Sequence, residues 1–470
     1  MKLINYYVIN VVAQGLGRVF TFGSNFIAFA LIARFLSSEV FGQYSYVLNY
    51  FGIIVILADF GLMSILGKDI AQKRESPQIY WGNFLFLRLC INVIMIFVSI
   101  VCAYFIRKDL FLLLFIGSFA IPFLASRFFE PVFQVFKRPW DSTIASLVYG
   151  ISHLVFVFMA FKLHGQLIYF VLAYIFANII YGFFAFYLSF KSVRPLLKIN
   201  KSVIKDILKL AAPLGISSIF ITISNRISIL MLASMKSDYA VGIYSASYKF
   251  VEISAFLAAM ATAPLIPIFA EKAKISTESI KNISGDIFES MAIILLPTGI
   301  VCSYLSQEII TLIYGVKLLP SIEVFEILIW VCVIIFYSLL TASIVISIGT
   351  VRFAYWLGAL AAVLSILLNY LLIPKLSYLG SAWAALICEI VLVGVTLSYA
   401  TRNIGNFFRL KTWVLIAVLN LFLFFLINQK IIDFNIYIKT ATALIFYFLC
   451  VWRLDLLRTD VFELLKLIKR

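Results

Sequence analysis

Residues 80–105, YWGNFLFLRLCINVIMIFVSIVCAYF, hold a single charge, Arg88. A helix that crosses the hydrocarbon core of a bilayer needs roughly 20 mainly apolar residues. In that medium only helices and closed barrels satisfy their own backbone groups. The stretch is too long and too uniformly apolar for a half-buried strand, so it reads as a transmembrane helix. Applied along the rest of the chain, the same criterion gives about fourteen spans, at 8–33, 43–66, 80–105, 110–136, 143–162, 166–190, 211–234, 240–268, 287–305, 322–348, 353–373, 379–400, 411–428 and 434–452. The first is the most polar of them and the ninth is short.

Composition agrees. Of 470 residues, 63% are hydrophobic and 13% charged, with a mean hydropathy of +1.06. Soluble domains carry about a quarter charged residues. The six cysteines all lie inside apolar runs, without CxxC spacing, and there are two histidines. No disulfide framework, metal site or cofactor is expected. The first apolar run contains Gln14, Arg18 and Asn25 and outlasts a signal-peptide core, so it is read as the first span and not as a cleavable leader.

With the N-terminus placed in the cytoplasm, basic residues fall in the inside loops over the outside loops by roughly three to one, as the positive-inside rule requires. Both termini are then cytoplasmic. The formal net charge of +16 sits largely in loops that face anionic headgroups, which removes the reason to infer nucleic-acid binding. The basic loop 191–209 separates six spans from eight. The tail 453–470, RLDLLRTDVFELLKLIKR, has helical periodicity and reads as a helix lying on the inner membrane surface or docking a partner.

FGQYSY at Phe41–Tyr46 recurs as VGIYSA at Val241–Ala246, and at the same offset Asn25 aligns with Asn225. The copies share one orientation, which makes a parallel repeat of the kind transporters use to alternate access around a central site. The expected organisation is an N-terminal half over 1–200, a second half over 201–402, and two extra helices with a basic tail over 403–470.

A charge at the centre of a transmembrane helix costs at least about 2.5–3.5 kcal/mol, so each one asks for a role. The candidates are Arg18, Asp59, Arg88, Arg127, Glu130, Arg226, Lys249, Glu252 and Glu389. Glu326 and Lys439 lie near span ends, where they can snorkel, and His153 reads as a packed core histidine. Arg127–Glu130 and Lys249–Glu252 are spaced i,i+3 and can neutralise one another. Arg18, Arg88 and Arg226 have no acid within four residues. Arginine stays charged and grips phosphate with a two-pronged fork, so these three, with Arg127 and Lys249, are candidates for binding an anionic, phosphate-bearing substrate. Inter-helix pairing with Asp59, Glu130 or Glu389 is the structural alternative. Asp59, Glu130, Glu252 and Glu389 are the candidate ion-coupling acids.

Several stretches resemble a known family: GLGRVFTFGSNFIAFALIARFLSSEVFGQYSYV near the start, ADFGL at Ala58–Leu62, APLGISSIFITISNRISILMLASMKSDYAVGIYSASYKFVE in mid-chain, IITLIYG at Ile309–Gly315, and LLNYLLIPKLSYLGSAWAALICE at Leu367–Glu389. They are similar to O-antigen flippases of the Wzx type, within the multidrug/oligosaccharidyl-lipid/polysaccharide transporter superfamily. The resemblance implies an all-α, MATE-like bundle of about 14 transmembrane helices, in two six-helix halves plus two C-terminal helices. It implies a substrate of oligosaccharide on undecaprenyl diphosphate, flipped to the far leaflet by alternating access, and other polysaccharide assembly proteins as partners beside membrane lipid. Relatives often carry an acid after the arginine of the seventh span. Here Asn225-Arg226-Ile227-Ser228 has a serine there.

No phosphate-binding loop and no histidine–carboxylate set in a sizeable external loop is visible, so no catalysis is expected. The competing readings are a multidrug or cation antiporter of the same fold, which should carry acids and few cations in its lumen; a membrane polymerase, ligase or acyltransferase; and a flippase for a different lipid-linked precursor.

Overall fold

In the computed structural model the described residues are 2–66, 76–163, 165–196, 198–349, 351–429, 436–454 and 456, with side chains from Gly15 onward except those of 351, 352, 354 and 355. The expectations for the tail from 457, for His164 and for the basic residues at 68, 73 and 74 lie outside them.

The helices run α1 (Lys2–Phe35), α2 (Ser38–Asp59), α3 (Pro77–Ile106), α4 (Phe111–Ser118), α5 (Ile121–Leu124), α6 (Phe129–Val135), α7 (Pro139–Lys162), α8 (Leu167–Ser192), α9 (Lys201–Met235) and α10 (Asp238–Thr262). They continue as α11 (Leu265–Ile275), α12 (Thr277–Tyr304), α13 (Ser306–Tyr314), α14 (Ser321–Ser347), α15 (Val351–Leu376), α16 (Tyr378–Ile404), α17 (Leu410–Asn428) and α18 (Ile436–Arg453). Among the described residues 12 helices are long and apolar enough to cross a membrane, and α10 with α11, bent by 41°, makes a 13th span. The protein is a multi-pass, all-helical membrane protein.

The expected span 110–136 is present but broken. Short helices α4, α5 and α6 alternate with 3-10 turns at Lys108–Leu110 and Ser126–Phe128. Pro122 and Pro131 remove backbone donors here, and the Ser126 hydroxyl donates to the Phe123 carbonyl at 2.5 Å. Broken helices are tolerated at membrane depth where protein or a cavity takes up the freed backbone groups.

The internal repeat extends to the helix caps. Ser37 accepts from the Val40 N–H, and Ser237 from the Ala240 N–H, each at 3.3 Å. Serine at an N-cap satisfies one of the four donors that a helix start leaves open.

One compact unit comprises residues 1–246 and 358–381. In it α1 packs on α7, α7 on α8, and α2 on α9. Its core gathers Trp81, Phe84, Phe128, Phe129 and Phe133, with the Trp81 and Phe84 rings stacked at 5.6 Å. At its C-terminal end α2 stops on Phe60 in the left-handed region (φ 45), followed by Gly61 (φ 78). A Cβ on Gly61 would lie 2.5 Å from the Gly215 nitrogen, and one on Gly215 2.5 Å from the Phe60 carbonyl oxygen. Only glycines allow this approach of two backbones.

The loop before α9 is shorter than the basic stretch 191–209 suggests, because the helix begins at Lys201. What remains is strapped to α3. The Asn83 amide donates to the Lys198 carbonyl at 2.9 Å and accepts from the Asn200 N–H at 2.8 Å. Leu196 N–H donates to the Gln78 carbonyl at 2.9 Å.

The second unit comprises 247–357 and 382–470. In it α12 packs against α14 and α17. Phe288, Phe407 and Ala400 belong to one core cluster, and Ile293, Ile416 and Tyr447 to another. The helix pair α17–α18 is tied to α12 by Tyr447 Oη donating to the Ile293 carbonyl at 3.2 Å. Arg409 bridges Asp286 at 2.6 Å and Glu289 at 3.2 Å.

Candidate functional site

The broken fourth span puts Arg127 on a 3-10 turn and Glu130 in the first turn of α6. Glu130 is 6% exposed and is shared by two arginines. Arg127 Nη1 lies 3.3 Å from Oε1, and Arg18 Nη2, from α1, 3.9 Å from Oε2. Both arginine side chains stay about half exposed, at 45% and 48%. The Arg127 guanidinium also sits over the rings of Tyr149 (6.0 Å) and Tyr181 (5.8 Å). Tyr149 Oη, on α7, donates to Asn25 Oδ1 at 2.8 Å. Two full positive charges against one carboxylate leave this cluster with a net charge of one positive unit, beside aromatic faces and hydroxyls. Such a set can hold an anion by its guanidinium forks, while the buried Tyr149 and Tyr181 rings support the Arg127 guanidinium from the core side.

Arg88 is placed otherwise. It is 2% exposed. Its Nη1 donates to Asp59 Oδ1 at 2.8 Å and the Ala58 carbonyl at 3.2 Å, and its Nη2 to the Ala125 carbonyl at 2.9 Å. The guanidinium also lies 4.9 Å from the Phe128 ring centre. It joins the end of α2 to the broken span. The structure thus corrects the picture of three cations without acidic partners. Arg18 and Arg88 each meet a carboxylate from another helix, which spacing along one helix cannot reveal.

Arg226 keeps the expected character. Among the described residues no carboxylate lies within 4.0 Å of it. Its Nη1 donates to the neutral Asn49 Oδ1 of α2 at 2.7 Å, and its guanidinium lies where a Cβ on Gly52 would be, 2.7 Å from Cζ.

The remaining candidates belong to the second unit. Lys249 Nζ and Glu252 Oε2 are 2.6 Å apart, the i,i+3 pair expected from their spacing. In Glu389 of α16, Oε2 is buried without a hydrogen-bond partner, and among the described residues no cation lies within 4.0 Å.

At one end of the first unit stands a cluster the sequence did not single out. Arg107 grips Asp238 with both terminal nitrogens, at 3.0 and 2.9 Å, and Asp109 through Nε at 2.9 Å and Nη2 at 2.6 Å. Tyr46 packs beneath it at 4.6 Å. Burial opposes the Arg107 charge, but the hydrogen bonds and attraction of the two aspartates outweigh it and raise its pKa. The hydrogen bond from Arg107 in turn holds the Asp109 carboxyl below the usual carboxylate range. Asn49, Tyr149 and Tyr181 also went unnoticed, and Asn25 was not read as part of a site. Only Asn25 carried a signal, its place in the repeat.

Residues 8–273, more than half of the chain, match the family model described as polysaccharide biosynthesis protein. The chain belongs to that family. Within the polysaccharide biosynthesis family, the chain is similar to a capsular polysaccharide biosynthesis protein, CapF, of Staphylococcus aureus. The two are 21% identical over 380 residues, covering 78% of this chain and 92% of the relative. Its fold is that of the lipid II flippase MurJ in an inward closed conformation, with a TM-score of 0.77 at 14% identity, covering 96% of this chain and 100% of that one. An inward-facing multidrug resistance MATE family transporter superposes with a TM-score of 0.66 at 13% identity, covering 84% of this chain and 98% of the other. The MATE-like fold and the membership of a polysaccharide-biosynthesis family, expected from the sequence motifs, are both found.

Proposed function

We propose that this polysaccharide biosynthesis protein flips oligosaccharide repeat units carried on undecaprenyl diphosphate across the bacterial inner membrane by alternating access, for O-antigen, capsule or another surface polysaccharide. The observation that carries the reading is the pair of half-exposed guanidiniums, Arg18 and Arg127, sharing one buried carboxylate beside Tyr149 and Tyr181. An anionic head finds two forks there, held in place by buried tyrosine rings. Arg226, held by a neutral amide, is a third cation for the diphosphate.

The transport halves are taken as 1–200 and 201–402, followed by 403–470, with both termini cytoplasmic. Lipid-linked glycan and membrane lipid are the partners, together with other polysaccharide assembly proteins. No covalent step and no cofactor enters. Asp59, Glu130 and Glu252 each face a cation within 4.0 Å, which leaves Glu389, with its buried oxygen, as the favoured ion-coupling acid. A cation antiporter of this fold is disfavoured by the net positive charge of the Arg18–Glu130–Arg127 cluster. A flippase for another precursor, such as the lipid II named for MurJ, shares every feature of the site except the glycan it takes.

The test is transport itself. The protein is reconstituted in liposomes with a polyprenyl-diphosphate oligosaccharide in the inner leaflet, and exposure of the glycan is followed with a membrane-impermeant glycosidase. Protein-dependent exposure is expected. Its absence under ion gradients of either sign overturns the reading.

A further inference from the structure

Helices α2 and α9, with the first turn of α10, meet along a seam of glycines. Gly42 faces the backbone of Asp238 and Gly242, Gly52 faces Arg226, and Gly61 faces Ala211 and Gly215. A seam of small residues brings backbones close with little side-chain interdigitation. One charged side chain crosses it at mid-length. Arg226 of α9 reaches over Gly52 to Asn49 of α2.

The details of that crossing are specific. Asn49 is buried, and its Nδ2 donates to the Ser45 carbonyl at 2.9 Å, which turns Oδ1 toward Arg226. The acceptor is neutral. Hydrogen bonds between two charged partners are stronger than those with one, and a phosphate matches the guanidinium fork with two parallel bonds where an amide oxygen offers one atom. A phosphate group near α9 therefore outcompetes Asn49 for Arg226.

We propose that Asn49 and Gly52 form a parking place for Arg226, and that the diphosphate of the carrier lipid draws Arg226 out of it, releasing the α2–α9 seam. Asn49 is a positioning residue: it holds Arg226 ready while the site is empty and yields when the anion arrives. The inference rests on the reading of Arg226 as a diphosphate-binding cation.

The test uses full-length protein in phosphatidylcholine nanodiscs, its six cysteines replaced and spin labels at Glu39 and Tyr239. Both positions are exposed, on the first turns of α2 and α10. The probe is farnesyl diphosphate. The label distance is expected to lengthen on adding probe. Asn49→Asp gives Arg226 a charged partner and abolishes the lengthening, while about tenfold more probe is needed for binding. Gly52→Ala places a Cβ against the flexible end of Arg226 and evicts it, so the distance is already longer without probe.

Equal lengthening in Asn49→Asp, or an unchanged resting distance in Gly52→Ala, overturns the proposal. So does probe binding that leaves the wild-type distance fixed. Lengthening by phosphatidylglycerol nanodiscs alone assigns the release to ordinary headgroup phosphate and also overturns it. If Arg226→Gln binds the probe as tightly as wild type, the reading of Arg226 as a diphosphate cation fails, and this inference fails with it.

Discussion

Gly42 and Gly242, equivalent positions of the internal repeat, lie against each other's helices. A Cβ on Gly42 would stand 1.7 Å from the Asp238 carbonyl oxygen and 2.9 Å from the Gly242 nitrogen, and one on Gly242 2.1 Å from the Ser38 carbonyl oxygen. The obstacles are backbone atoms, which cannot swing aside. Gly42→Ala and Gly242→Ala are each expected to push the helices apart at a cost of about 1–3 kcal/mol. A lower Tm in detergent checks this, with Gly394→Ala, which meets nothing within 4 Å, as the unaffected control.

Arg88 is buried and its partner Asp59 partly so, with 3% and 19% of the two side chains exposed, and removing one partner strands the other. Asp59→Asn and Arg88→Gln are each expected to destabilise by about 3–5 kcal/mol, and the double variant by less than the sum. A double-mutant cycle on thermal unfolding reads this coupling. Independent, additive losses would show that the pair does not act as one.

At the shared carboxylate the expectation has the opposite sign for binding. Glu130→Gln removes the charge that Arg18 and Arg127 divide, so farnesyl diphosphate should bind about tenfold more tightly. Arg127→Gln should weaken it by a similar factor with normal membrane abundance, since its side chain is already half exposed. Titration of tryptophan fluorescence with the probe measures both.

The Arg107 clasp predicts a pH response. Because Asp109 is held below its ordinary pKa, its contribution is present above the unfolded value and is lost only as pH falls through the lower folded value. The clasp should therefore survive acidification through about pH 4, the usual aspartate range, and weaken below it. Arg107→Gln should remove that low-pH step. Label distances between the loop at 107–109 and the start of α10 follow it.

The spans were legible because burial in lipid writes a long apolar run into the chain whatever the helix touches. Lys249–Glu252 and Arg127–Glu130 were legible too, since i,i+3 spacing fixes a shared face. Arg88–Asp59, Arg18–Glu130 and Arg226–Asn49 were not. Each joins two helices, and the rotation of one helix against another leaves no trace in local spacing. Pro122 and Pro131 stand in the fourth span, but their presence alone does not say that it divides into three short helices with Arg127 on the turn between two of them. Arg107 and Asp238 were hidden for another reason. Each sits at a span end, where a charge costs little and raises no question.

The fourth span has a bearing on how the protein is made. Arg127 and Glu130 leave the ribosome before Tyr149 and Tyr181, whose rings flank the guanidinium in the finished fold. Arg18, and Arg88 with Trp81 and Phe84 of α3, already exist. The segment is expected to enter the bilayer carrying its own ion pair, with its breaks already set by Pro122 and Pro131, and to gain its aromatic support only when α7 and α8 arrive beside it. Co-translational insertion here is two events separated by the synthesis of two helices. A substitution that weakens α7 or α8 would first appear as failed assembly of a segment made before either.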